Sequence, residues 1–530
     1  MVMILSKKYF ILTVSLITFL YPDNPIDNYL LGNNNLIVVG GFQDGIDKPR
    51  DLDFHPTIDN QLWVLNQGED IYSNNSENIF SLCVPENSEL TFTIYDSYGD
   101  GICCESGEGS YLVSACGNIY ATGGDFENSE STSFNIGANC DDSCLFGEVK
   151  LDIIINTDDW AKETSWILTG DNPEIVYARR LEPGGSTVIF QDAGLNSQSS
   201  EYRKDSYSRH FMHTASSLSF DNQGFFANTL ECQDANNNSN GFFSGPTLWD
   251  SNLSVYAEVN QNGPLLGSHL DMIHQSPYSM GIEYAGIGNV YWVFDGYHSS
   301  IVRYDFAMPH EIGGHDHSDG KVWRYDEVDI AREEGIPSHM ILDDELGLLY
   351  IADTGNQRIL KFNVNSGNYS YDLTPYGESL EEYFMMENAD WEIYINQGLD
   401  KPSGIDMYNN RLVISDYASG DIIFYDISIN PPFELGRINT GVQNNIMGIK
   451  IDSNQKIWYV NYNHNNVVRI DYSLINGDIN IDGSVNVADV IALVNYILNT
   501  ESSEFMGVDI NNDGNINITD VVQLINIILN

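Results

Sequence analysis

Residues 478–489 read Asp-Ile-Asn-Ile-Asp-Gly-Ser-Val-Asn-Val-Ala-Asp, and residues 509–520 read Asp-Ile-Asn-Asn-Asp-Gly-Asn-Ile-Asn-Ile-Thr-Asp. Asp478, Asn480 and Asp482, with Asp509, Asn511 and Asp513 in the second copy, put hard oxygens at positions 1, 3 and 5 of a twelve-residue loop. Gly483 and Gly514 allow the sharp turn at position 6. Ser484 and Asn486, with Asn515 and Asn517, occupy positions 7 and 9, and Asp489 and Asp520 close position 12. This spacing suits a hard cation that takes many oxygen ligands, and its repetition predicts two calcium ions.

The loops depart from an ordinary EF-hand in two ways. Position 12 is Asp rather than Glu, and the residues before the first loop, Val-Val-Arg-Ile-Asp-Tyr (467–472), alternate as a strand rather than forming an entering helix. Each unit is therefore a loop followed by one helix. Val490, Leu493, Val494, Ile497 and Leu498 recur at helical spacing, as do Val521, Leu524, Ile525, Ile528 and Leu529, so two matching stripes can pack face to face. This tail, residues 476–530, resembles a dockerin of the cellulosomal type I kind. The resemblance implies calcium-dependent docking onto a cohesin-like partner. The pair at loop positions 10 and 11, a hydroxyl pair in well-known cohesin binders, is Val487 and Ala488 in one copy and Ile518 and Thr519 in the other. The plainer alternative is a calcium-stapled cap without a partner, since so small a helix pair needs a metal to fold.

Across 530 residues, 76 acidic side chains stand against 23 basic ones, a net charge of −53. That balance excludes nucleic acid and anionic membranes as partners and fits an environment rich in salt or divalent cations. Lys7 and Lys8 precede a short apolar run from Tyr9 to Tyr21, too brief to span a membrane, and residues 1–28 are assigned as a signal peptide. A secreted or cell-surface location follows. Six of the seven cysteines (Cys83, Cys103, Cys104, Cys116, Cys140 and Cys144) fall in one stretch, as expected for disulfides in an oxidising compartment. Their connectivity is open, with the adjacent Cys103 and Cys104 expected to take different partners.

A recurring unit runs through the rest of the chain: a Pro or Ser turn, a short alternating strand, a Gly or Asn turn, and an apolar strand ending in a polar residue. Its clearest copies are Ile336-Pro-Ser-His-Met-Ile-Leu-Asp with Leu348-Leu-Tyr-Ile-Ala-Asp353, and Lys401-Pro-Ser-Gly-Ile-Asp-Met with Arg411-Leu-Val-Ile-Ser-Asp416. A third pairs Ile446-Met-Gly-Ile-Lys-Ile-Asp with Ile457-Trp-Tyr-Val-Asn461, and looser copies begin near Pro49, Ser216 and Ser279. With Asp353-Thr-Gly-Asn-Gln-Arg-Ile-Leu-Lys-Phe, these make residues 31–70 and 184–475 resemble an NHL-repeat six-bladed β-propeller. Leu36-Ile-Val-Val-Gly-Gly is similar to Glu434-Leu-Gly-Arg-Ile-Asn ahead of the last unit, so the N-terminal strand is expected at the outer edge of the final blade.

Residues 71–183 interrupt the first unit with a different composition. Leu90-Thr-Phe-Thr-Ile-Tyr and Val149-Lys-Leu-Asp-Ile-Ile-Ile alternate, so a small Cys-rich antiparallel β-sandwich is expected. The stretch resembles a module of secreted proteins of marine and gliding bacteria, with Thr157-Asp-Asp-Trp-Ala-Lys-Glu-Thr-Ser-Trp166 following Tyr95-Asp-Ser-Tyr-Gly-Asp-Gly rather than preceding it. Either the halves complement each other as a permuted sandwich or each belongs to an incomplete copy. Asp96, Asp100, Asp158 and Glu163 are candidates for a further calcium site, and the plain alternative is that Asp96 and Gly99 only build a tight turn.

Histidines gather in the middle units: His210 and His213; His269 and His274; and His310, His315 and His317. His-Glu-x-x-x-His is one residue too long for a zincin helix, and its glycines indicate a loop. Two such loops meeting at the channel mouth would offer His269, His274, His315 and His317 to a transition metal; unliganded surface histidines are the alternative. Some NHL propellers are metal-dependent lyases, but only His339 sits where Gly404 and Gly448 sit in sister units. The sequence therefore reads as a mainly β, exported, calcium-binding protein. Its propeller recognises a protein, peptide or glycan, in a setting of extracellular polysaccharide breakdown, and its dockerin-like tail tethers it to a cohesin-like partner. A secreted metal-dependent lyase or hydrolase is the competing reading.

Overall fold

The computed structural model describes residues 24–31, 33–68, 74–104, 106–138, 144, 148–170, 176–180, 184–473, 477–479, 485–498, 509–511 and 513–529, with the backbone alone for 31, 162, 176–180 and 473. The apolar leader up to residue 23 lies outside these residues. The chain divides into two compact units, one of residues 36–471 and one of the residues before 36 and from 472 onward.

The larger unit is built from antiparallel sheets whose second strands, such as Leu62–Asn66 and Val290–Asp295, are buried along their whole length. Burial on both faces explains why these strands read as unbroken apolar runs rather than as alternation. Each of six sheets starts from a leading strand: Pro49–Phe54, Ala215–Phe220, Ser279–Tyr284, Met340–Asp343, Pro402–Tyr408 and Ile446–Ile451. Each leading strand packs against the next, and that of the sixth sheet packs against that of the first. Apolar clusters fill the gaps between neighbouring sheets, as where Trp63 and Ile189 of the first meet Leu218, Phe226 and Trp249 of the second. The N-terminal strand Asn33–Gly40 lies beside Asn466–Ser473 at the outer edge of the sixth sheet, where its likeness to residues 434–439 places it.

Two features depart from a plain repeat. After Arg358–Asn363 the chain leaves its own sheet, and Asn368–Asp372 and Glu382–Glu387 extend the preceding one to six strands; Glu382–Glu387 pairs in parallel with Lys321–Tyr325. It then returns as Trp391–Ile395 to complete the fourth sheet. The Cys-rich stretch forms two four-stranded sheets sharing one core that includes Phe92, Tyr111, Ile153 and Trp166. Its halves complement each other, because Glu148–Asn156 pairs with both Glu77–Pro85 and Ser110–Ala115, and Thr164–Gly170 pairs with Glu89–Asp96. Asn66 and Ser186 are register partners, so this stretch leaves and rejoins the first sheet at neighbouring points. Cys83 pairs with Cys144, while Cys103 and Cys104 are bonded to each other across a cis peptide with Cα atoms 3.1 Å apart. The expectation of separate partners for these two is thus corrected; it assumed the trans geometry that holds neighbouring Cα atoms further apart. Cys140 lies outside the described residues, and Cys232 is a buried free thiol.

The leading strands cannot pair edge to edge as a continuous sheet, so their backbone N–H groups need other acceptors. Carboxylates supply them. Asp51 accepts from Leu218 N (2.9 Å), Asp53 from Phe220 N (3.2 Å), Glu283 from Leu342 N (3.3 Å) and Asp406 from Ile451 N (2.6 Å), each on the next leading strand. Lys450 faces these acids, its Nζ 3.6 Å from Asp53. Burial opposes its charge, but Asp53, Glu283 and Asp406 outweigh that and hold the ammonium protonated far above its ordinary range.

Burial pushes Glu283 up to about 8, against the pull of Lys450. The folded protein thus keeps a proton there that the unfolded chain releases near 4.5. The associated stability is complete below that ordinary value and is lost as pH rises through about 8. Glu283→Gln should therefore flatten the alkaline fall in Tm. Thermal denaturation between about pH 5 and 9 checks this, and parallel Tm curves for variant and wild type would remove the assignment.

Candidate functional site

In the C-terminal unit the helices Val487–Leu498 and Ile518–Leu529 pack through Leu493, Val521 and Leu524. Ile479 and Ile510, at position 2 of each loop, join the same core. The loops are thus fastened to the helices from within, a contact that helical periodicity does not reveal. Asp489 and Asp520 are fully buried. Asp489 accepts from Ile479 N and Asn486 N, both at 2.7 Å, and Asp520 from Asn511 N (3.2 Å) and Asn517 N (2.8 Å). Position 12 therefore draws each loop closed in the same way. In the second loop Asp509 accepts from Asp513 N and Gly514 N at 3.1 and 2.7 Å, which wraps the chain around an all-oxygen interior. Asn480, Asp482 and Ser484 lie outside the described residues.

This donor set fits calcium. The carboxylates at positions 1, 5 and 12 are hard anionic ligands, and buried acids of this kind are stabilised by a divalent cation. Of the ligands expected from the loop spacing, Asp478, Asn486, Asp489, Asp509, Asn511, Asp513, Asn515, Asn517 and Asp520 fall within the described residues.

In the Cys-rich sandwich, oxygens of Asp96, Asp100 and Glu163 lie within 4.8 Å of one another. Asp96 also accepts from the backbone N–H groups of Gly99, Asp100 and Gly101, so it builds the tight turn as well. Asp158 stands outside this trio. Burial raises its pKa, and Asp100 and Asp96 add to the rise.

The histidines of the middle sheets come together, with a membership that differs from the expected one. Ring centroids are 5.1 Å apart for His269 and His310, 5.5 Å for His310 and His317, 5.7 Å for His317 and His274, and 5.6 Å for His274 and His210. His315 is exposed beside the group, and His339 sits apart with Asp51 and the Ser216 carbonyl. The group forms between the outer strand His269–Met272 of the second sheet and the segment before Lys321–Tyr325 in the third, rather than on the leading strands. Phe243 stacks on His274 and Phe211 on His269, at 3.5 and 3.7 Å. Burial, reinforced by His274, brings His210 down to about 4; burial and His310 bring His269 down to about 2. Burial also lowers His274 and His310; it opposes charge on His317 too, but the hydrogen bond and charge of Asp271 outweigh it and raise that ring. Sequence reasoning passed over Asp271 and Glu378, because their roles depend on contacts between distant segments.

A separate polar cavity of about 450 Å³ is lined by Arg50, Glu231, Gln233, Asn237, Tyr278 and Arg332 among others. Arg50 pairs with Glu231 at 2.7 Å, and Arg332 lies 4.1 Å above the Tyr278 ring.

Two loop–helix units sharing one core define a small calcium-loop domain. In agreement, residues 476–529 match the family model described as Dockerin type I domain. No curated protein matches the chain. Among solved structures, an auxiliary nutrient binding protein from Bacteroides thetaiotaomicron is similar at 8% identity and a TM-score of 0.34, over 79% of this chain and 99% of that one. A chain of a nidogen/laminin complex is similar at 10% identity and a TM-score of 0.29, covering 64% and 97%. Myxococcus xanthus glutaminyl cyclase is similar at 12% identity and a TM-score of 0.28, covering 52% and 94%. Scores at this level assign no fold.

Because Asp520 both closes the second loop and carries charge toward the ion, Asp520→Asn should weaken calcium binding there by about tenfold or more. Calorimetric titration of calcium into the full chain should lose one tight equivalent. Unchanged stoichiometry and affinity would exclude this loop as a calcium site.

Proposed function

We propose that this is a secreted or cell-surface modular recognition protein, held on a cohesin-like partner by its calcium-loaded C-terminal domain. Its larger unit reads as an NHL-like six-bladed β-propeller. Cyclic packing of the six leading strands and the N-terminal strand at the outer edge of the sixth sheet support that reading. The cavity is the ligand site of choice for a glycan or peptide, because its amides, carboxylates and arginines supply directional hydrogen bonds.

The observation that carries the tethering is a duplicated apolar surface. Val487 and Ile518, at position 10 of the two loops, are each 65% exposed, and Ile491 and Val522, one turn further along their helices, are each 54% exposed. Two helices that bury Leu493 and Leu524 against each other thus leave equivalent apolar residues facing water, the arrangement a partner would cover. Here the hydroxyl pair of well-known cohesin binders is replaced by Val487-Ala488 and Ile518-Thr519. The partner surface is accordingly expected to be apolar where those hydroxyls would be met. Calcium acts indirectly, by fixing the loops from which both helices start.

Immobilised type I cohesin modules should retain the full chain in millimolar calcium and release it in EGTA. Val487→Asp combined with Ile518→Asp should weaken retention by more than about tenfold while calcium binding stays intact, because charged groups would have to be desolvated at the contact. Retention that ignores EGTA, or a double variant that binds like wild type, would sink the tethering role.

A further inference from the structure

The cavity beside the Arg50–Glu231 pair is assembled at one end of the sheets. Arg50, Thr214 and Tyr278 stand at or just before the start of three leading strands, Gln67 and Glu231 just follow the second strands of two sheets, and Arg332 and Gly335 precede the fourth sheet.

The side-chain oxygens around this cavity are already engaged within the protein. Glu231 Oε1 accepts from Gly335 N at 2.8 Å and from Arg332 Nη1 at 3.3 Å, and its Oε2 faces Arg50 Nη1 at 2.7 Å. Asp234 accepts from Asn236 N and Phe243 N at 2.8 and 3.2 Å. Gln67 Oε1 accepts from Tyr462 Oη at 2.6 Å, and Gln233 Oε1 from Tyr278 Oη at 3.3 Å. Oδ1 of Asn237 lies 2.8 Å from His213 Nε2, and Oδ1 of Asn238 accepts from Asn240 N at 3.2 Å.

What remains is mostly N–H. The amide nitrogens of Gln67, Asn237 and Asn238 have no partner among the described residues, and both asparagines are exposed. Arg50 is 1% exposed, yet its Nε is unmet. Arg332 engages only Nη1 and is steadied by the Tyr278 ring at 4.1 Å. Glu334, exposed at the edge, is the one lining carboxylate left without a partner among the described residues. A sugar hydroxyl both donates and accepts, so a neutral glycan would bring hydrogens that such a lining has few oxygens to meet. A carboxylate or sulfate only accepts, and guanidinium is the cation best matched to it. Arg332 covers the Tyr278 ring, so little apolar wall is left for a peptide side chain.

Resting on the reading of this cavity as the recognition site, we propose that its ligand is an acidic glycan, held by the carboxylate or sulfate of one sugar. Arg332 and Arg50 supply the charged donors, and Gln67, Asn237 and Asn238 the neutral ones. The net charge of −53 opposes such a ligand at a distance, but salt at about 0.15 M screens that beyond roughly 8 Å, while the donors act in contact.

The test is calorimetric titration of the full chain with a trisaccharide carrying one glucuronate, with its neutral methyl ester, and with a trisaccharide carrying one sulfate instead. One equivalent of an anionic sugar should bind at least about tenfold tighter than the ester, and the tighter of the two anions identifies the charged group. Asn238→Asp keeps the bond to Asn240 N but replaces a donor by a repelling oxygen, and Arg332→Gln removes a guanidinium. Each should weaken binding by about tenfold or more with circular dichroism unchanged, whereas Glu334→Gln should strengthen it. Equal binding of the methyl ester, or of an acidic tripeptide, would overturn the acidic-glycan inference and leave the cavity as a recognition site. Full binding by folded Asn238→Asp and Arg332→Gln would place the ligand elsewhere and overturn both, as would no binding of any probe.

Discussion

The larger unit depends on the carboxylates that reach from one leading strand to the next. A leading strand at the edge of its sheet carries N–H groups that no neighbouring strand satisfies. Asp51, Asp53, Glu283 and Asp406 answer that need with side chains at three of the six junctions between leading strands. Apolar packing between sheets supplies most of the burial but is non-directional; these bonds set the register in which neighbouring sheets meet. Crowding so many acids together would be self-defeating without a counter-charge, and Lys450 provides it among Asp53, Glu283 and Asp406.

A second set of bonds extends this order outward to the histidines. Arg324 donates to Asp295 Oδ2 (2.7 Å), Ser300 Oγ (2.6 Å) and the Gln275 carbonyl (2.6 Å), fixing the segment that follows His274. Gln275 and Glu378 then clamp together: Gln275 Nε2 donates to Glu378 Oε1 at 2.6 Å, and His274 N donates to the same oxygen at 2.7 Å. The chain that wanders from the fourth sheet onto the third is therefore more than decoration. It delivers Glu378 to His274, and without it that ring would have no partner for its Nδ1 proton.

What the sequence made legible follows from how local each signal is. The calcium loops are twelve-residue patterns whose ligands, turn glycine and closing acid are all within reach of one another, so spacing alone identifies them. Leading strands such as Pro402–Tyr408 and Ile446–Ile451 were visible as repeats of a turn and an apolar strand. The extra strands Asn368–Asp372 and Glu382–Glu387 were not, because pairing with the preceding sheet leaves no trace in their own periodicity. For the same reason His315 stands out by its neighbours in sequence although it is exposed, while nothing local marks Asp271 and Glu378 as partners of the rings. The permuted sandwich was left open because the order of two halves does not say whether they pair; the ladder between Thr164–Gly170 and Glu89–Asp96 does.

A chain with net charge −53 must keep cations from binding at every acid it carries, and the engagement of its carboxylates decides where they can. Several of its carboxylates are already engaged: Asp96 bonds the N–H groups of its own turn, and Asp51, Asp53, Glu283 and Asp406 bond those of neighbouring leading strands. Those in the C-terminal loops converge because Gly514 and the closing Asp520 bend the backbone around them, giving a hard, oxygen-only environment. Beside His274 and His317 the acids Glu378 and Asp271 are engaged with the Nδ1 atoms of the rings. Carboxylates committed to ring and backbone N–H groups are thereby withdrawn from cation binding, and those of the C-terminal loops are gathered for it.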